Sequence, residues 1–451
     1  MSHQESLTVI ADVGEGRVDA LKRMLGTIPG HVGDWHVVPF AKLSRVHFAQ
    51  LCVLDAAELD GRRLPARLGM LTTVDAPLSE HLDDLSTICA EGMDAVFSHC
   101  TGYPAAPERS PATRRTFLQD RSLKSAAVHM NRRGRTVQQI RQEEALRREL
   151  GAFLDAGDFA GRSSLDVRNQ VIAFVRGRPD LHWALRLTEP PALGWRVKNV
   201  LHAVFYALLA LLLAPFALVC LPVFLWLLRR HEKRDVPDTS AAPAPAVLAL
   251  RDDEDYWVHN PFLAAGSFKP GVFRKITSSL ILAVADYATR HVYNRGSLSG
   301  LNTIHFARWV RLDGGRRMLF ASIYDGTVES YMNDFIDKAA WGVNAIFGNG
   351  DGFPSTVYMV GKGITDEKAY KRFLPTRLVH TSVWYSAYPH LTTKNIANNE
   401  AIRAGLSADM NEEQARLWLK RFGSGNQLPE SGWAARMLDA LPWDRICRNW
   451  N

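Results

Sequence analysis

Cysteine is scarce in this chain, and what there is lies badly for chemistry. Cys52, Cys89, Cys100, Cys220 and Cys447 form no C-x-x-C pair and no zinc-ligand spacing. That excludes a disulfide scaffold and a zinc ribbon, and leaves small buried hydrophobes in a reducing compartment. Also missing are a P-loop, a Rossmann glycine pattern with its distal acid, a G-x-S-x-G elbow and an H-E-x-x-H helix; the nucleotide-binding, serine-hydrolase and zinc-protease readings that rest on those motifs go with them. The first residues, Met1 to Glu5, lack the basic-then-apolar order of a signal peptide. Acidic residues are outnumbered, 54 Lys and Arg against 47 Asp and Glu, for a net charge of +7. Much of the excess sits in Arg109–Arg148 and Arg229–Arg234. The Arg135–Leu150 part is spaced as a charged helix, so a nucleic-acid partner is not expected.

Charge is absent altogether from Ala203 to Leu228, a run dominated by Leu, Ala, Phe and Val. About 20 apolar residues suffice to cross a bilayer. Both flanks are basic, however: Arg196 and Lys198 before, Arg229, Arg230, Lys233 and Arg234 after. Positive charge marks the cytoplasmic side of a span, and here it marks both ends. Pro215 and Pro222 interrupt the run and favour a bend. The expectation is therefore a monotopic or re-entrant hairpin in the cytoplasmic leaflet, with Phe205, Leu212, Phe216, Phe224 and Trp226 in the lipid; a single span and a buried soluble helix are the alternatives. A Pro/Ala-rich linker follows, and Tyr256-Trp257, Trp433, Trp443 and Trp450 suit a membrane interface.

On either side of this run the chain resembles itself. His47-Phe48-Ala49 ending in Leu54-Asp55 recurs as His305-Phe306-Ala307 ending in Leu312-Asp313, and Gly92-x-x-Ala95-x-Phe97 with Gly102-Tyr103-Pro104 recurs as Gly342-x-x-Ala345-x-Phe347 with Gly352-Phe353-Pro354. Asp75 and Asp84 fall on Asp325 and Asp334, and Glu144, Arg147 and Leu150 on Glu400, Arg403 and Leu406. If the two copies pair, they share one compartment, which a single span between them would forbid. Alternation and turn residues place strands at 7–12, 46–55, 67–74, 302–312, 317–324, 356–360 and 379–385. Helical periodicity covers 17–28, 78–97, 273–292, 325–347 and 366–373. The resulting division is a unit at 1–150, a helical connector at 151–200, the membrane segment at 201–230, a linker at 231–254, a second unit at 255–406 and a helical tail at 407–451. The order within a unit is that of the ferredoxin-like fold. Two such sheets bury their bare faces by packing together. The expected class is α+β: two tandem ferredoxin-like units forming a pseudo-twofold α+β barrel with an inserted membrane hairpin.

In element order and duplication the chain resembles the dimeric α+β barrel superfamily, which includes the dye-decolourising peroxidases, the chlorite dismutase group and cofactor-free monooxygenases. The peroxidases carry a G-x-x-D-G motif and a proximal histidine; here Ser322-Ile323-Tyr324-Asp325-Gly326 retains the Asp-Gly half, with a serine at the first glycine. The resemblance implies a membrane-associated oxidoreductase, haem-peroxidase-like or monooxygenase-like, acting on a lipophilic substrate. Simple alternation along 303–311 puts Thr303, His305, Ala307, Trp309 and Arg311 on an inward face with Tyr324. His305, Arg311 and Tyr324 are then the catalytic candidates. A haem would be bound through His305 or, failing that, His129 or His99, with Trp309 beside it and Arg311 as the distal group. Asp75 and Asp325 are expected as helix N-caps, and Glu144/Arg147 and Glu400/Arg403 as ion pairs. The alternative is a non-catalytic membrane-anchored lipid-binding or scaffold protein. The partners expected are the bilayer and a lipophilic small molecule; the sequence leaves the oligomeric state open.

Overall fold

A computed structural model describes residues 3–28, 38–186, 191–238 and 258–423. The fold is mixed α+β. Two antiparallel four-stranded sheets carry it, and each borrows its last strand from the other half of the chain. The first sheet has β1 (Gln4–Asp12), β2 (Val46–Leu54) and β3 (Arg67–Asp75) in the order β1-β3-β2, extended beside β2 by a strand at Thr381–Ser386. The second contains His259–Ser267, Ile304–Leu312 and Arg317–Asp325, with Ser125–Met130 added against Ile304–Leu312. In chain order these are β4 (Ser125–Met130), β5 (His259–Ser267), β6 (Ile304–Leu312), β7 (Arg317–Asp325) and β8 (Thr381–Ser386). The second sheet therefore runs β4-β6-β7-β5.

The sheets lie face to face. Cys52, Leu54 and Leu71 pack against Leu263, Val310, Leu312 and Leu319 in one buried cluster. Among the described residues they do not close into a barrel: the ladders are separate, and isolated bridges such as Val9 to Ser122 and Ala264 to Leu378 connect their outer edges. The expected barrel is thus a two-sheet arrangement. Helices cover the outer faces. On the first sheet these are α1 (Val18–Gly26), α2 (Leu78–Thr87), α3 (Ala90–Phe97) and α4 (Pro111–Asp120). The expected helix over 78–97 is interrupted at Ile88 and Cys89. At the base α5 (Val137–Ala156) and α6 (Ser164–Arg176) build a third core with two helices from the other half.

The apolar run does not form a hairpin. It lies within α7, one helix from Leu193 to Glu232 that continues through Pro215 and Pro222. Each proline removes a single backbone donor, a loss that a 40-residue apolar helix outlasts. α8 (Val272–Tyr287) follows β5. After β7 come α9 (Val328–Lys338) and α10 (Ala340–Phe347), parted at Ala339 where one helix was expected. The short α11 (Glu367–Phe373) precedes β8; α12 (Thr393–Ser407) and α13 (Glu412–Leu419) join α5 and α6. The strand expected over 356–360 is only Thr356–Val357. Most of the Pro/Ala linker, Trp257 and its neighbour Tyr256, Trp433, Trp443, Trp450 and the tail beyond Gly423 lie outside the described residues.

Candidate functional site

His305 sits at a bulge. Ile304 pairs with Tyr324 and Phe306 with Ile323, so His305 is an extra residue on β6; His47 occupies the same place on β2, between Val46 and Phe48. A bulge puts two successive side chains on one side of the sheet and reverses the alternation beyond it. His305 and Phe306 therefore both point between the sheets, with ring centroids 5.6 Å and 5.4 Å from Phe48. Arg308, Val310 and Leu312 follow them inward. Trp309 and Tyr324, expected beside His305, turn the other way and pack under the helices with Phe320, Tyr331 and Phe335. Tyr324 stacks on Tyr331 at 4.1 Å. Arg311 stands six residues from His305 along the strand, roughly 20 Å. The interior set of His305, Trp309, Arg311 and Tyr324 does not assemble.

What does assemble around His305 is a buried hydrogen-bond network. His305 Nε2 lies 2.8 Å from Asp325 Oδ1, and Asp325 Oδ2 accepts from the backbone N–H and hydroxyl of Thr393, where α12 begins. The first half has the same device: His47 Nε2 is 3.0 Å from Asp75 Oδ1, and Asp75 Oδ2 accepts from Val137 N at the start of α5. Asp75 and Asp325 thus do not cap the helices that immediately follow them; they fasten the starts of α5 and α12. Burial alone would raise the Asp325 carboxyl, but His305 and the Thr393 donors hold it below the usual carboxylate range. Tyr388 OH lies 2.8 Å from His47 Nδ1 and joins the two halves. His259, opposite Asp325 in the register, meets Ser386 Oγ at 2.8 Å. Its imidazole is pushed down to about 3, by burial first and by His305 second, and so stays neutral.

Among the described residues, His259, His305 and Asp325 form the one group whose ligand atoms, within 4.8 Å of one another, could hold a metal ion. Two of the three are already hydrogen-bonded together, and the third to Ser386. The residues do not fit a haem. His305 spends Nε2 on Asp325 within a packed aromatic cluster, and Arg311 is too far along β6 to face it across one macrocycle. His99 lies in the first half, beside Arg17. His129 on β4 is wholly buried, with Nδ1 3.1 Å from the Tyr293 carbonyl oxygen; burial pushes it down to about 3.

An apolar cavity lies on the opposite face of the second sheet, beneath its helices. It has a volume of about 400 Å³ and is walled by Trp309 and Phe320 of the sheet, Leu280 and Val284 of α8, Val343 of α10 and, from the long helix, Phe224, Leu225 and Leu228. Such a size and lining are those of small-molecule sites. Trp309 Nε1 and Ser299 Oγ stand in its wall without a hydrogen-bond partner. Ala127 pairs with Trp309 and His129 with Ala307, so His129 shares Trp309's face of the sheet; its Nε2 also lacks a partner. Of the five side chains expected in lipid, Phe205, Leu212, Phe216 and Trp226 are exposed, whereas Phe224 turns inward onto Phe273.

The long helix is fixed at both ends. Glu232, buried, accepts from Thr356 Oγ1 and from the backbone N–H groups of Tyr358 and Met359 at 2.7–2.9 Å. Asp235 accepts from Lys269 and Arg274, each at 2.7 Å. Towards the other end, Arg290 donates to Asn199 Oδ1 at 2.8 Å, and His202 meets His291 at 2.9 Å. Sequence reasoning missed Leu280, Val284 and Val343 as cavity residues. They look like ordinary core positions of amphipathic helices, and only the place of α7 makes them a wall. No protein-family model matches the chain, and neither a curated protein nor a solved structure matches it.

Proposed function

We propose that the protein is a membrane-associated binder of a lipophilic molecule, held in the cavity between the second sheet and the long helix. The observation that carries this reading is the shared wall: the apolar helix that suits a bilayer also closes an apolar cavity of about 400 Å³. Chain segments rich in Leu and Phe do not stay exposed in water over such a length without a partner surface, and α7 offers Leu211, Leu212, Phe216, Leu218 and Val219 to its surroundings. Basic residues at both of its ends favour the anionic, cytoplasmic face of a membrane. The ligand is an apolar body bearing an oxygen that Trp309 Nε1–H or Ser299 Oγ–H can bond. Binding without chemistry is favoured over oxidation because the interior set that an oxidoreductase would use is split between two faces of β6. The parallel bulges and His–Asp pairs support a duplicated ferredoxin-like ancestry for the two halves.

Gly342 lines the cavity, and a Cβ added there meets nothing within 4 Å. Gly342→Phe should fill the space while leaving the fold intact. Displacement of a fluorescent fatty acid from the detergent-purified protein is expected for the native chain and lost in this variant. A native protein that takes up no lipophilic probe, or a Soret band that vanishes in His305→Ala, overturns the reading.

A further inference from the structure

α8 is amphipathic in an unexpected direction. One side is buried on the second sheet through Thr277, Ser278 and Leu282. The other presents Val272, Ile276, Leu280 and Val284, four apolar side chains one turn apart that are 59–75 % exposed. No chain element covers them among the described residues. A solvent-facing helix ordinarily carries charge there.

Ring contacts fix where this stripe lies. Phe273 packs on Phe224 and stacks on His231, while Tyr287 lies against Tyr206. α8 therefore lies antiparallel to α7 and touches it at two places, near Tyr206 and between Phe224 and His231. If α7 crossed a bilayer, it would take α8 and the second sheet into the hydrocarbon with it. That sheet has buried polar and charged side chains in Arg308, Arg317 and His305, the last hydrogen-bonded to Asp325. Lipid cannot satisfy such groups.

We infer that α7 lies along the surface of an anionic bilayer rather than across it, and that the exposed stripe of α8 is a second membrane-contact element beside it. Both basic ends of α7 then sit at the headgroups, as Arg196 and Lys198 and Arg229–Arg234 require. Lys275, exposed next to Ile276, adds to the same positive rim. Because Leu280 and Val284 belong to both the stripe and the cavity wall, the cavity opens towards the acyl chains. Its ligand enters sideways from the leaflet and never crosses water. This rests on the membrane association proposed above.

Depth measurement tests it. The full chain with Cys220→Ser and Cys447→Ser is reconstituted with vesicles of phosphatidylcholine and phosphatidylglycerol. A bimane probe is placed at Leu208→Cys, Val219→Cys or Ile276→Cys, all exposed positions, and quenched by lipids nitroxide-labelled at different heights. All three probes are expected at one depth, within a few Å, just below the headgroups. A spanning helix would separate positions 208 and 219 by about 16 Å along the normal, and that result overturns the in-plane orientation. Quenching at 208 and 219 with none at 276 removes α8 from the membrane face. A protein that stays in solution, unquenched throughout, overturns this inference and the membrane reading together. The double variant Ile276→Asp/Val284→Asp is expected to weaken vesicle partitioning at least tenfold at an unchanged circular-dichroism spectrum. Unchanged partitioning also overturns the role of α8.

Discussion

Arg308 is a guanidinium shut inside the molecule, and its partners say why it is tolerated. It reaches from the second sheet to the first, donating to the Leu7 carbonyl oxygen at 2.9 Å and to Thr8 and Thr73 hydroxyls. Burial pushes it down to about 10, which still leaves it charged near neutrality. Arg308→Ala should lower stability by about 3 kcal/mol through unpaired acceptors and lost volume, and Arg308→Met by less, since it restores volume only; urea denaturation would measure both. His81, His129 and His259 are each held near 3 by burial, below the ordinary value of 6.5. A group whose pKa is depressed by folding stabilises the native state above its unfolded value and loses that contribution as pH falls towards the folded one. Stability should therefore decline from about pH 6.5 towards pH 3, by up to ~1.4 kcal/mol per pH unit for each histidine. His129→Gln should flatten that slope; an unchanged slope would place the effect elsewhere.

Elements show where the sequence could be read and where it could not. Strands β2, β3, β6 and β7 and helix α8 follow their hydrophobic periods closely enough to be found within a few residues. The inward direction of His305 was also legible, but its face-mates were not. A bulge of one residue has no signature in the pattern His305-Phe306-Ala307, and it alone sends Trp309 under the helices. β5 hides behind Pro261, which reads as a strand breaker but is accommodated at the sheet edge. The length of α7 was concealed by its two prolines. One carboxylate carries several of the contacts at the C-terminal end of that helix. Glu232→Ala would strip acceptors from Thr356, Tyr358 and Met359 at a cost of about 2–4 kcal/mol. Hydrogen exchange should rise in 356–362 first, and uptake of the lipophilic probe proposed above should fall with it.

At the scale of the whole molecule the two halves cannot be parted. β4 completes the second sheet and β8 the first, while α5 and α12 share a core and the buried pair Glu143–Arg403. A chain of residues 1–238 alone is expected to be insoluble or molten, and to become folded when co-expressed with residues 239–451. Independent folding of either piece, seen as a cooperative thermal transition, would contradict this.

Strand exchange also sets a timetable for synthesis. The edge of β2 that β8 will cover is made some 330 residues before its partner, and at 5–20 residues per second it waits roughly 15–65 s. An unpaired edge is open to aggregation throughout that interval. Within it the ribosome delivers α7, the most apolar stretch of the chain. Tethering the nascent chain to a membrane would keep neighbouring copies apart until Thr381–Ser386 arrives. On the membrane association proposed above, the helix would serve as chaperone before it serves as anchor.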